Sequence, residues 1–222
     1  RRKARAGKNS FPPTPFLFAR PSVQFGARSA PSVPFKKGSD FVKQTHPMPM
    51  INLRKKLDEI IHKDNGNNWW KPCLFKKHTQ KIIPKELKIL EPPPSSNENY
   101  NCFIHILGLS HDSNLIKDCS GFIYSALFQK LLDDKILTCT DNPQKGDYII
   151  YHDLKNYPKI ITHAGIIENK DTIISKWAWG PLFRHKIFDV PESYGNNVSY
   201  VKSISKERAK ELYKKYKKFN KK

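Results

Sequence analysis

A chain of 222 residues with 40 Lys and Arg against 20 Asp and Glu carries a formal charge of +20 at pH 7. The length suits one compact domain or one domain with long appendages, and 38% hydrophobic residues beside 17 prolines leave part of the chain outside any core. No apolar run approaches the ~18 residues of a membrane-spanning helix. Cys73, Cys102, Cys119 and Cys139 form no CxxC pair, which argues against a zinc ribbon and a dense disulfide scaffold; free thiols in a reducing compartment are the simpler reading.

The charge is unevenly placed. Residues 1–49 hold ten Lys and Arg and one acid, Asp40, a net +9. Residues 202–222 hold ten and two acids, Glu207 and Glu211, a net +8, so residues 50–201 keep 20 bases and 17 acids, only +3. A nearly neutral domain is flanked by two basic ends.

Residues 1–49 are rich in Arg, Ser, Pro and Phe, and prolines interrupt every short apolar run. Such a segment cannot bury enough surface to offset its ordering entropy. It reads either as the remains of an organelle-targeting sequence or as an extended arm on an anionic partner. In the second reading Arg1, Arg2, Lys3, Arg5, Lys8, Arg20, Arg28, Lys36 and Lys37 meet phosphates.

Residues 50–99 form a helix and a connecting region. Leu53, Leu57, Ile60 and Ile61 make the stripe of an amphipathic helix that Gly66 stops, and Trp69 and Trp70 dock onto a core. Residues 91–99 are a proline-rich loop. Residues 100–203 are the main domain: a short helix over 99–108 is followed by a longer one over 117–134. In the longer one Cys119, Phe122, Ile123, Ala126, Leu127, Lys130 and Leu131 fall along one face. Beyond Pro143 strand-like runs at 146–153, 159–168, 171–179, 182–188 and 197–203 are separated by turn formers. In the run 171–179 Trp177 and Trp179 share a strand face. Helices first and an antiparallel meander afterwards mean an α+β domain. Residues 204–222 are a helix capped by Ser205, with Ala209, Leu212, Tyr213, Tyr216 and Phe219 on one side. On the other side Lys214, Lys215, Lys217, Lys218, Lys221 and Lys222 can contact RNA.

A thiol hydrolase needs a thiolate, a base to generate it and a group that orients the base. Cys102 stands where a helix begins, where the dipole favours a thiolate, and His163 stands inside a strand-like run. His105, one turn from Cys102, reads as a partly buried helix histidine. Cys73 and Cys139 read as packing residues. His111, His152 and His185 form neither HxxxH nor HExxH, so neither a metal nor a cofactor is expected.

Several short motifs occur in order: Asn101-Cys102, Gly146-Asp147-Tyr148-Ile149, Thr162-His163-Ala164, Ser175-Lys176-Trp177, Arg184-His185 and Tyr194-Gly195. On these the stretch from about Tyr100 to Lys202 resembles the NlpC-type cell-wall peptidase and amidase superfamily, a variant of the papain-like fold, and especially an uncharacterised bacterial branch of it. The resemblance implies an NlpC-like domain with Cys102 as nucleophile and His163 as base. The orienting group would be Ser175 or His185. Asp118-Cys119-Ser120-Gly121-Phe122 is also very like the nucleophile motif of typical NlpC peptidases, which keeps Cys119 as the alternative nucleophile. Cys119 precedes Gly146 by 27 residues and Cys102 by 44; the resemblance implies an interval longer than 27, which favours Cys102.

Two functions follow as expectations. In the favoured one the NlpC-like domain is a basic structural subunit contacting ribosomal RNA and neighbouring proteins of a large assembly, a mitochondrial ribosome in the organelle matrix, with the thiol site retained or lost. In the other it is an active cysteine amidase or peptidase in an organelle, the cytoplasm or a virion.

Overall fold

The computed structural model describes residues 49–95, 98–153 and 160–220. The basic positions from Arg1 to Lys37, and Lys221 and Lys222, lie outside the described residues.

Helix α1 (Pro49–His62) buries Leu57, Ile60 and Ile61 of its predicted stripe, each worth ~1.5–3 kcal/mol relative to exposure, and half-buries Leu53. A single turn of 3₁₀ helix carries the chain from Lys63 to Gly66, which has φ +76°. Short helices α2 (Asn67–Trp70) and α3 (Pro72–Leu74) follow. Trp69 docks as expected: its ring stacks 6.0 Å from Trp177 and 5.8 Å from Phe183, and its Nε1–H donates to Trp177 O at 3.1 Å.

The connecting region holds a strand the sequence reading missed, β1 (Lys88–Glu91). Four residues without clear alternation carry too little periodic signal to be recognised alone; pairing with a later strand defines it. The run is bulged between Ile89 and Glu91 and leads into Pro92-Pro93-Pro94.

Helix α4 (Cys102–Ile106) begins at the candidate nucleophile. The single helix expected over 117–134 is instead two, α5 (Ser113–Asp118) and α6 (Ser125–Asp133). Ser120 at φ +52° and Gly121 at φ +73° break the chain between them, so Cys119 ends α5 and does not belong to a helical stripe. The apolar spacing there satisfied a helical template, but left-handed backbone cannot continue a helix. Gly121 is confined further, because a Cβ there would stand 2.1 Å from the Asn99 carbonyl oxygen. Gly121→Ala is expected to cost about 3 kcal/mol, read as a lower urea midpoint with an unchanged slope.

Strands β2 (Tyr148–His152), β3 (Ile161–Ile167), β4 (Thr172–Lys176), β5 (Leu182–Lys186) and β6 (Asn197–Val201) complete one antiparallel sheet in the order β1-β5-β4-β3-β2-β6. The class is α+β, as the sequence predicts. Strand β4 stops at Lys176, three residues short of expectation, because Ala178 takes φ +51° in a turn closed by Gly180 N–H to Trp177 O. Trp177 is buried and Trp179 only half-buried, so they do not share a strand face.

Alternation along β2 sorts the interior into two layers. Tyr148 and Ile150 point into a core built with α4, α5, α6 and helix α7 (Lys206–Tyr216). Ile149 and Tyr151 point into a second core closed by α1 and Trp69. Helix α7, capped by Ser205 Oγ accepting from Arg208 N–H at 3.2 Å, buries Ala209, Leu212, Tyr213 and Tyr216.

Candidate thiol site

The start of α4 is fixed by Asn101. Its Oδ1 accepts from Ile104 N–H at 3.3 Å and Ile123 N–H at 3.4 Å, while Nδ2 donates to Ile123 O at 2.7 Å. One buried amide thus caps the helix carrying Cys102 and ties it to the segment after the Asp118–Phe122 turn, bringing the two candidate nucleophile motifs together in space.

Cys102 is buried, and burial pushes its thiol up to about 12. The backbone N–H groups of Ala164, Phe103 and Cys102 itself pull the other way without prevailing. The thiol is therefore protonated at neutral pH, unlike an activated nucleophile.

His163 pairs with Tyr151 across β2 and β3, and its ring lies between two aromatics, 5.4 Å from Tyr151 and 4.0 Å from Tyr194. Burial, and next the neighbouring His185 and His105, hold it well below the usual histidine range. Its Nε2 is buried without a hydrogen-bond partner. Cys102 packs in the helical core together with Ala164, whereas His163 sits among side chains of the other core. Strands β3 and β4 pair only at Ile166–Ile174 and Ile167–Ile173, so they part beside His163. Tyr194, stacked on His163, lies within electrostatic reach of Cys102 and connects the two.

Ser175 and His185 are brought together, but with each other. His185 Nδ1 faces the Lys186 carbonyl at 2.7 Å, so Nδ1 carries the proton. Nε2 then accepts from Ser175 Oγ–H at 2.7 Å, and Ser175 Oγ accepts from Trp177 Nε1–H at 2.9 Å. Burial lowers His185 to about 4. Both candidate orienting groups are thus engaged in a satisfied chain that does not include the His163 Nε2.

Cys119 is buried at the end of α5, its thiol donating to Ile116 O at 3.7 Å and pushed up by burial. Its neighbours Asp118 and Tyr213 are hydrogen-bonded at 2.9 Å and supply no imidazole. Cys73 and Cys139 are exposed, contrary to the packing role expected for them, and all four cysteines are free. His105 is half-buried as expected, its ring stacked 6.3 Å from Tyr100.

The sequence reading gave no role to Lys176. It is fully buried, its Nζ donating to the Gly180 carbonyl and lying 4.6 Å from the Tyr100 ring centre. Burial lowers it to about 7 against a smaller opposing pull from Glu91. The available signal was its position at the buried end of an apolar strand. Tyr194, likewise noted only within a motif, proves to be the group that covers the imidazole.

Among the described residues no cluster of three or more His, Cys, Asp or Glu is placed to hold a metal ion. Among them, too, no helix is long and apolar enough to cross a membrane. Comparison with protein-family models, curated proteins and solved structures gave no match.

Proposed function

We propose that this chain is an NlpC-like domain serving as a basic, RNA-contacting subunit of a large assembly, a mitochondrial ribosome in the matrix, with its thiol site retained in a closed form. The supporting observation is helix α7. Its apolar side is buried and Tyr213 is fastened to Asp118, so Lys214 and Lys215 at its end, and Lys217 and Lys218 in the 3₁₀ turn that follows, all stand exposed at one packed end of the fold. Only Lys217 has a carboxylate partner among these four, Asp118 at 3.5 Å. A fixed row of lysines neutralises phosphates and releases counterions. The site is consistent with this role, since a buried, protonated thiol packed in a different core from the neutral His163 imidazole does not attack carbonyls.

Binding to a structured ribosomal RNA fragment is expected to weaken steeply with salt. Replacing the four lysines by Gln should lower the slope of log affinity against log salt by about 3. An unchanged slope would remove α7 as the RNA contact.

One arrangement favours the active-enzyme reading instead. The Asn101-capped Cys102 faces the N–H of Ala164, and the buried His163 Nε2 has no hydrogen-bond partner among the described residues. Once the site opened, His163 would take the thiol proton. The thiolate would add to an amide carbonyl, His163 would return the proton to the departing amine, and water would hydrolyse the thioester. An electrophilic amide-mimic probe should then label the wild-type chain at Cys102 and lose that signal in Cys102→Ala and His163→Ala. Equal labelling of Cys102→Ala would exclude Cys102 as nucleophile.

A further inference from the structure

Tyr194, which covers the His163 imidazole, belongs to a short strap, Val190–Gly195, joining β5 to β6. Val190, Pro191, Tyr194 and Gly195 are buried, while Glu192 and Ser193 face solvent. Within it a 3₁₀ turn, Glu192–Tyr194, is held by Tyr194 N–H to Pro191 O at 3.1 Å. Tyr194 lies flat on His163 at 4.0 Å. The far end is seated on β2: Gly195 has φ +95°, and a Cβ there would stand 2.3 Å from the His152 carbonyl oxygen.

What fastens the strap from outside is α1, and it does so through polar side chains on one face. The half-buried Arg54 guanidinium donates from Nε to Val190 O at 3.2 Å, and from Nη2 to Pro191 O at 3.3 Å and to Gly195 O. One turn later Asp58 accepts from Ser193 N–H at 2.9 Å and Ser193 Oγ–H at 2.5 Å. Three carbonyls along the strap and both donors of its outermost residue are thus gripped by two side chains four residues apart. The Asp58–Ser193 bonds are exposed, where water competes for both partners and the net gain per bond is small. A cover with a buried aromatic underneath and a reversible polar fastening on top has the construction of a latch.

We propose that the Val190–Gly195 strap is a latch on the thiol site, held shut by Arg54 and Asp58, and that its release uncovers His163 and makes Cys102 accessible. This rests on reading Cys102 and His163 as one retained site. It extends that reading by assigning the closed state to α1, the helix into which the basic N-terminal segment leads. Closure is then a removable condition, and the thiol can be reached without unfolding the helical core.

The four cysteines supply internal controls. The full chain is treated with iodoacetamide under native conditions, and the alkylation rate of each cysteine is followed by peptide mass spectrometry. In Arg54→Gln/Asp58→Asn, Cys102 should react about tenfold faster than in wild type. Cys119, buried but outside the strap, should stay slow, and the exposed Cys73 and Cys139 should react at the same rate in both. Ser193→Ala, which alters a solvent-facing residue and leaves the core intact, should give a smaller increase confined to Cys102. An unchanged Cys102 rate in both variants overturns the latch. So does a parallel rise of Cys102 and Cys119, which means general loosening. The amide-mimic probe separates the two ideas: selective alkylation of Cys102 in the variant without probe labelling leaves the latch standing and removes the hydrolase reading.

Discussion

Replacing Lys176 by Met is expected to raise the melting temperature at neutral pH and to leave it nearly unchanged close to pH 10.5. Lys176 is 0% exposed, with one carbonyl acceptor and an aromatic face for company and no carboxylate bonded to it. Holding an ammonium there costs several kcal/mol, and methionine fills a similar volume without charge. Leaving the Gly180 carbonyl without its donor returns part of the gain, so the net stabilisation at pH 7 is on the order of 2 kcal/mol. The pH dependence identifies the cause. The folded-state value lies near 7 against an ordinary 10.5. Below pH 7 both folded and unfolded chains carry the charge and the penalty is complete. Between 7 and 10.5 the unfolded chain holds the extra proton, so wild-type stability climbs with pH. Above 10.5 the difference from Lys176→Met has closed. A difference that stays constant across this range would show that the ammonium is not the source.

Acid is expected to destabilise the fold well above the carboxylate range. His105 is lowered to about 4, His185 to about 4, and His152 and His163 are also lowered, in each case chiefly by burial. Unfolded histidines titrate near 6.5. Between pH 6.5 and 4 the unfolded chain therefore binds more protons, and stability falls as pH falls. Asp189, whose carboxyl is raised by burial, opposes this by up to one proton. His105 and His185 alone give an uptake of about two protons on unfolding at pH 5, to which His152 and His163 add and from which Asp189 subtracts. The change in urea-unfolding free energy with pH measures that number directly. His185→Gln should reduce it by about one, and an uptake near zero in wild type would mean that these rings are protonated in the fold.

Much of the architecture was legible as periodicity. The α1 stripe, the basic amphipathic tail and five strand runs in order required only the spacing of apolar residues. The failures share a cause: local backbone that no spacing encodes. Residues 117–134 satisfy a helical template on paper, yet Ser120 and Gly121 take left-handed conformations, and Gly121 packs so closely on Asn99 that no Cβ fits. The strand through Trp179 ends early because Ala178 does the same. Strand β1 exists only through its pairing with β5, a long-range fact. For the site, the motif order picked out Cys102, His163, Ser175 and His185, and all four are buried beside the sheet. Their partnerships were not legible: that Ser175 gives its proton to His185, and that Tyr194 covers His163, depend on which strands neighbour which.

The edge strand β1 sets how this molecule can be packed among others. A strand at the margin of a sheet offers unpaired N–H and C=O groups to any chain that approaches. Here that margin is four residues long, bulged, and followed at once by Pro92-Pro93-Pro94, which have no N–H to offer. Charged Lys88 and Glu91 stand exposed along it. An edge so built does not extend its sheet into a neighbour's, so fibrous stacking does not start at this margin. Association at this margin must then run through side chains, whose charge and shape, unlike backbone pairing, distinguish one partner from another.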